Sequence, residues 1–318
     1  MPKNILLVDC DTGVDDALAL LYLLADPDVD IRGITTVFGN TTSATAAKNT
    51  LRVLELAGRT DIPVAVGASA TLLGHQVATS SHVHGDDGLG GTGLPEPVTA
   101  PTTEPAAQLM VRLARENPGE LHILATAPLT NLATALLLEP GLPALVKHVT
   151  VMGGAIGVPG NVTPVAEANV YHDPEAARAV LAAGWPVTLV PLDVTMDELL
   201  TEELAGELAR HGGRTTSFAA SVLRHYLDFY ERNVFGVRAA ACHDPLAAAI
   251  AVGDVVPVLA PVVPVDVETG HGPARGMVVA DLRGRYRGYP ARPDAAVRVV
   301  LETPRTFARQ LVDRLCRG

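Results

Sequence analysis

Residues 8–17 read Val8-Asp9-Cys10-Asp11-Thr12-Gly13-Val14-Asp15-Asp16-Ala17. An apolar β-branched run, Ile5–Val8, leads in and an apolar helical run, Asp15–Leu24, leads out, so the segment reads as strand, acidic turn, helix. The same alternation continues outward. Ile31–Val37 reads as a strand, Ala44–Leu56 as a helix, Val64–Val66 as a strand and Ala106–Arg115 as a helix. Leu121–Leu124 and Leu129–Leu138 form the next strand and helix, and the strands Val149–Met152 and Val187–Val190 flank a helix at Glu175–Ala182. Short, almost wholly apolar strands joined by helices predict an α/β fold, a mostly parallel central sheet with helices on both faces and a Rossmann-like core.

Two stretches interrupt this rhythm. Residues 67–104 are rich in Gly, Pro, Ser and Thr and carry His82, His84, Asp86 and Asp87, which suits a long loop at an active site. Residues 197–232 read as consecutive helices ending in an aromatic cluster. Strands are expected at Val255–Val267, Met277–Ala280 and Val297–Leu301, and a last helix at Thr306–Leu315. With no internal repeat or linker, residues 1–318 are expected to form a single domain.

The balance of 24 basic and 35 acidic residues, a formal charge of −11, disfavours nucleic acid as a partner, because phosphate binders need a basic face. The longest apolar run, Ala17 to Ala25, is nine residues against the roughly 20 of a membrane span, so no membrane association is expected. Met1-Pro2-Lys3-Asn4 runs straight into the first strand without the pattern of a secretory leader. The three cysteines Cys10, Cys242 and Cys316 are too few and too scattered for a disulfide framework. A cytoplasmic protein is expected.

Acidic residues at a helix start are each worth about 0.3–1 kcal/mol through the helix dipole, so helix capping is the alternative reading of an isolated Asp-Asp pair. Asp9, Asp11, Asp15 and Asp16 together are different. Two carboxylates about 4 Å apart repel by about 4 kcal/mol at an effective dielectric of 20, which outweighs the dipole. Hard oxygen ligands that crowded predict a bound Ca²⁺ or Mg²⁺. Cys242-His243-Asp244-Pro245 supplies a second acidic signal, with Asp244 expected to cap a helix. Asn161, Glu167 and Asn169 offer donors and acceptors suited to sugar hydroxyls, although loop asparagines commonly only make turns.

The pattern Asp9-x-Asp11-x-Gly13-x-Asp15-Asp16-Ala17 resembles the signature of the inosine–uridine-preferring nucleoside hydrolase family. The likeness continues through Phe38-Gly39-Asn40, His84-Gly85, Thr126 with Leu129-Thr130-Asn131, Met152-Gly153-Gly154, Gly160-Asn161, Glu167-Ala168-Asn169, Asp173-Pro174-Glu175-Ala176 and His243-Asp244-Pro245. The resemblance implies the family's fold and hydrolysis of the N-glycosidic bond of ribonucleosides through an oxocarbenium-like state. It implies Ca²⁺ held by Asp11, Asp16, the carbonyl of Thr126 and Asp244, with Asp11 also the general base. Asp15, Asn40, Asn161, Glu167 and Asn169 would hold the ribose, with Asp9 behind the ligands. His243, with an ordinary pKa near 6.5, is the candidate acid for the leaving base. His84 and the i, i+4 pair Tyr226 and Tyr230 would line the base pocket, although such a pair also forms by simple helix packing. Relatives are commonly homodimers or homotetramers, and the implied role is purine and pyrimidine salvage. One departure is Ala168, where many relatives carry an aromatic.

Two rivals compete. Asp9-Cys10-Asp11 after a strand also resembles the nucleophile motif of haloacid-dehalogenase-like phosphatases, which Gly13 and Asp15-Asp16 fit poorly. A non-catalytic nucleoside- or ribose-binding protein would need neither a base at Asp11 nor an acid at His243. Gly88-Leu89-Gly90-Gly91-Thr92-Gly93 matches a dinucleotide-binding pattern only on paper, because no strand precedes it and Pro95 and Pro97 bar a helix after it.

Overall fold

The computed structural model describes residues 4–293 and 295–317. Its centre is an eight-stranded sheet of β1 (Asn4–Cys10), β2 (Val29–Thr36), β3 (Val64–Val66), β4 (His122–Ala125), β5 (His148–Met152), β6 (Val187–Val190), β7 (Val262–Val263) and β8 (Val297–Val299). The spatial order is β3-β2-β1-β4-β5-β6-β8-β7, parallel except where β7 pairs antiparallel with β8 at one edge. The α/β expectation is met.

Side chains alternate across the sheet, and each face has its own core. Leu6, Val8 and Cys10 of β1 pack with α1 (Val14–Leu24) and α2 (Ser43–Leu56). Leu7 points the other way, toward α3 (Ala106–Glu116), α4 (Thr130–Leu138) and α5 (Pro174–Leu181). The first face is completed by α6 (Glu202–His211), α7 (Arg214–Tyr230), α8 (His243–Val252) and α9 (Phe307–Leu315). The chain leaves β1 toward β2 and β3, then crosses back to lay β4 on the other side. Such a reversal opens a crevice at the carboxyl ends of β1 and β4, where ligands bind in open α/β sheets.

Three differences from the sequence reading have local causes. The expected strand Val255–Val267 survives only as β7 and Val265–Val267, because Pro257, Pro261 and Pro264 cannot donate to a ladder. Residues 197–232 are not helical throughout: Leu199–Thr201 pairs antiparallel with Ala239–Ala241, which fixes the entry into α8. The cap of α8 is Cys242 rather than Asp244, so both His243 and Asp244 lie in its first turn. Among the described residues no helix is long and apolar enough to cross a membrane.

Candidate active site

Residues after β1 turn sharply into α1, and Gly13 is there because of crowding rather than dihedral strain. Its φ is −89°, yet a Cβ would fall 2.5 Å from His84 Nδ1 and 2.9 Å from Asn40 Nδ2. The turn buries four aspartates. Asp9 Oδ1 accepts from Thr35 Oγ1 at 2.7 Å and Asn131 Nδ2 at 2.8 Å, while its Oδ2 has no protein partner. Asp11 accepts from the Asn40 backbone N–H at 2.6 Å and from Asn40 Nδ2 at 2.9 Å. Asp16 accepts from Gly13 N–H at 2.8 Å and Thr126 Oγ1 at 2.9 Å. Asp15 Oδ2 accepts from the Tyr226 hydroxyl at 3.2 Å, and its Oδ1 is buried without a partner.

Asp244 joins this group from α8. Carboxylate oxygens of Asp15, Asp16 and Asp244 all lie within 4.8 Å of one another. Asp11 stands beside them, clamped by Asn40. Burial pushes Asp15 up to about 6 and Asp9 up to about 7. It drives Asp11 and Asp244 well above the usual carboxylate range, with help from Asp16's charge for Asp11 and from Asp15's for Asp244. Orphaned buried oxygens, crowded like charges and an all-oxygen donor set fit a hard divalent cation, whose charge is what would let these groups ionise together. The Thr126 carbonyl, at the carboxyl end of β4, faces the same crevice and accepts from Asn169 Nδ2 at 3.0 Å.

Above the aspartates lies a cavity of about 380 Å³, within the usual range for small-molecule sites. Asp15, Asn40, His84, Thr126, Asn161, Glu167, Asn169, Tyr226, Tyr230, His243 and Asp244 all line it. Asp11 and Asp16, which do not, sit beneath its floor. No lysine or arginine lines it among the described residues, so a phosphate group would meet only negative charge.

The ribose candidates divide by chemistry. Asn169 spends its amide hydrogens on the carbonyls of Thr126 and Met152, which leaves Oδ1 for a ligand. Glu167, only 2% exposed, is largely consumed by protein: its carboxylate accepts from Gly154, Asn169 and Val170 N–H groups and caps the helix Ala168–His172. Asn161 Oδ1 accepts from Ala168 N–H at 3.0 Å.

The opposite wall is aromatic. His84 lies tilted against Tyr226 with ring centroids 5.8 Å apart, and Tyr226 meets Tyr230 edge-on at 4.9 Å. Burial lowers His84 to about 4, and its Nδ1 accepts from Val14 N–H at 3.1 Å. The 3.9 Å approach of that nitrogen to Asp15 is therefore not an ion pair. His243 Nε2 lies 2.6 Å from the Tyr230 hydroxyl and Nδ1 lies 2.7 Å from Thr195 Oγ1. Burial also lowers His243 to about 4, so the ordinary value expected from sequence does not apply and the imidazole is neutral near pH 7. Sequence reasoning missed Thr195 and Phe229. Thr195 lies just past β6, a strand-end position that the parallel sheet alone makes suspect.

A model of inosine-uridine preferring nucleoside hydrolases matches residues 6–308. The pyrimidine-specific ribonucleoside hydrolase RihA of Escherichia coli is 38% identical over 98% of this chain and 97% of its own length. A plant nucleoside hydrolase of known structure superposes with a TM-score of 0.92 at 31% identity, covering 99% of each chain. A purine-preferring ribonucleoside hydrolase from Gardnerella vaginalis gives 0.91 at 29% identity over 98% of each chain. The carboxylate-floored, aromatic-walled cavity thus sits in a chain that belongs to the inosine-uridine preferring nucleoside hydrolase family and is a nucleoside N-ribohydrolase.

Proposed function

We propose that the cavity binds a ribonucleoside with its ribose hydroxyls on the aspartate floor and its base against the aromatic wall, and that water attacks C1′ as the base departs. The carrying observation is that one cavity is lined both by Asp15 and Asp244, whose carboxylates cluster with that of Asp16, and by Tyr226, Tyr230 and His243. Asp11 takes the proton of the attacking water, and Asn40, bonded to both its oxygens, holds it in place. A calcium ion held by Asp11, Asp16, the Thr126 carbonyl and Asp244 would acidify water and draw the ribose hydroxyls. Asp15, Asn40 and Asn169 Oδ1 orient those hydroxyls, and Asn161 and Glu167 complete the ribose wall. The ionised floor stabilises the positive charge that grows on the sugar.

The departing base takes a proton from Tyr230. Tyr226 already donates to Asp15, so its proton is committed. With His243 neutral, a Thr195 hydroxyl donating to Nδ1 leaves the proton on Nε2, which donates to the Tyr230 oxygen and frees the phenol proton for the base. His243 is thus a positioning residue that acts through Tyr230. The family resemblance carries the remaining assignments: calcium as the ion, a homodimer or homotetramer, and a cytoplasmic role in purine and pyrimidine salvage. A reducing-sugar assay on uridine and inosine, with and without chelator, tests the reading. Asp11→Ala should abolish ribose release while leaving the circular dichroism unchanged; turnover at the native rate in the variant or in chelator removes the proposed base or ion.

A further inference from the structure

The segment Asp173-Pro174-Glu175-Ala176 is one of the blocks on which the family resemblance rests, yet none of its residues lines the cavity. It lies directly behind the ribose wall. The helix Ala168–His172 carries Asn169 and is entered through Glu167, but five residues make barely more than one turn, which cannot hold a helix in place alone. From the cavity side, Glu167 accepts from Gly154 N–H at 2.8 Å, and Asn169 donates to the Thr126 and Met152 carbonyls. From the other side, residues 268–277 cover the helix. A Cβ on Gly276 would fall 3.0 Å from Tyr171 Cα and 3.2 Å from Ala166 Cβ, so this glycine, with φ +81°, presses on residues before and after Glu167. Val278 then packs on Gly154, the donor to Glu167, so closely that a Cβ there would lie 2.9 Å from Val278 Cγ2.

What seats this loop is Arg275. Its guanidinium makes two parallel bonds to Glu175, Nη1 to Oε1 at 2.8 Å and Nη2 to Oε2 at 2.9 Å, and Nη1 also donates to the Thr269 carbonyl. The two side chains are only 24% and 20% exposed. Glu175 stands in the first turn of α5, whose cap Asp173 also ends the helix Ala168–His172. Asp173 in turn accepts from Leu72 N–H at 2.6 Å and Thr130 Oγ1 at 2.7 Å, so the base on which Arg275 rests is itself fixed. The loop closes where Gly276 N–H bonds the Glu268 carbonyl at 2.8 Å. We propose that Arg275, through its ion pair with Glu175, is a positioning residue for the substrate: it holds Gly276 and Val278 against the chain around Glu167 and so keeps Glu167 and Asn169 at the ribose. The inference rests on the ribose wall proposed above. A planar fork on a carboxylate fixes direction as well as distance, which a lysine ammonium does not. Because the wall grips ribose before and during the reaction alike, loosening it weakens binding more than chemistry.

The test measures kcat and KM for uridine across a set of variants. Arg275→Ala should raise KM at least about tenfold while kcat stays within about threefold. Arg275→Lys, which keeps the charge and loses the fork, should raise KM by a smaller factor, and it carries the test should the alanine variant not fold. Glu167→Gln should also raise KM, and adding Arg275→Ala to it should cost under about threefold more, because Arg275 acts through that wall. Arg178→Ala breaks a second ion pair between α5 and this hairpin, Arg178 to Asp266 at 2.8 Å, and controls for general loosening. Its KM should stay within about twofold of the native value. An unchanged KM in both Arg275 variants, an equal rise in Arg178→Ala, or a full further loss on top of Glu167→Gln overturns the inference. A native KM in Glu167→Gln would instead overturn the ribose wall, and this inference with it.

Discussion

Removing the Tyr230 hydroxyl with Tyr230→Phe separates two ways of protonating the leaving base. Were His243 a stored imidazolium, its pKa of about 4 would leave about one molecule in a thousand charged at pH 7. That costs about 4 kcal/mol at 1.36 kcal/mol per unit. General acid catalysis contributes about 10²–10⁴-fold, or about 3–5 kcal/mol, so the stored imidazolium would forfeit nearly all it gives. A phenol already carries its proton, and although burial raises Tyr230 above the usual phenol range, the Nε2–H 2.6 Å away can stabilise the phenolate left behind. Tyr230→Phe should therefore lower kcat/KM for uridine and inosine by about 10²–10⁴-fold. On p-nitrophenyl riboside, whose leaving group needs no proton, the loss should be under about threefold. Adding His243→Ala to that variant should cost little more, because His243 acts through the missing oxygen. Equal losses on natural and nitrophenyl substrates, or a full further loss from His243→Ala, would refute the assignment.

Buried carboxylates and neutral histidines should contribute to the pH dependence of stability in opposite senses. Burial raises Asp9 to about 7, so the stability it permits is full below the ordinary carboxylate value and is lost as pH rises through about 7. That loss runs from about pH 4 to about 7, so added calcium should raise the melting temperature of chelated protein most at pH 7 and above; a calcium-induced shift no larger at pH 8 than at pH 5 would count against the buried-charge account. Over the same range the histidines contribute with the opposite sign. His84 and His243, buried, and His172, half-buried, are lowered to about 4 and His122 to about 3, so they favour the native state only while neutral; calcium-loaded protein should lose stability from pH 6.5 toward 4, while in chelator the raised aspartates oppose that loss and the fall should be smaller. Gly39 has φ +155° and a Cβ there would collide with Asp11 Oδ2, so Gly39→Ala should cost at least a hundredfold in turnover while the protein still melts cooperatively. Native-like rates in that variant would show that the Asn40 clamp on Asp11 is dispensable.

Much of this site is legible in sequence because its parts are local. The strand, acidic turn and helix at residues 8–17 place four carboxylates whatever the rest of the chain does, and the i, i+4 spacing of Tyr226 and Tyr230 puts both on one face of α7. What was hidden is how lone pairs are allotted. Glu167 reads as a free carboxylate, yet it caps its own helix through the Asn169 and Val170 N–H groups and also accepts from Gly154 N–H thirteen residues earlier, a contact no spacing rule announces. His243 reads as an ordinary imidazole because its pKa is set by burial among α7, α8 and Thr195, which are contacts across the fold. The broken strand at Val255–Val267 is the opposite case, since its prolines were visible and simply outweighed the β-branched run.

Asp15 belongs to both halves of the site, and that makes them one device. It shares the oxygen group with Asp16 and Asp244, and its Oδ2 accepts a hydrogen bond from the Tyr226 hydroxyl at 3.2 Å. Burial alone would hold Asp15 protonated up to about pH 6, and a protonated Asp15 has less need of that phenol as a donor. In the proposed mechanism, positive charge on the floor would favour the carboxylate, which would commit the Tyr226 proton and leave Tyr230, backed by His243, as the phenol free to protonate the base. The floor that would prepare the water and the wall that would release the base therefore reach their working protonation states together, coupled through one side chain.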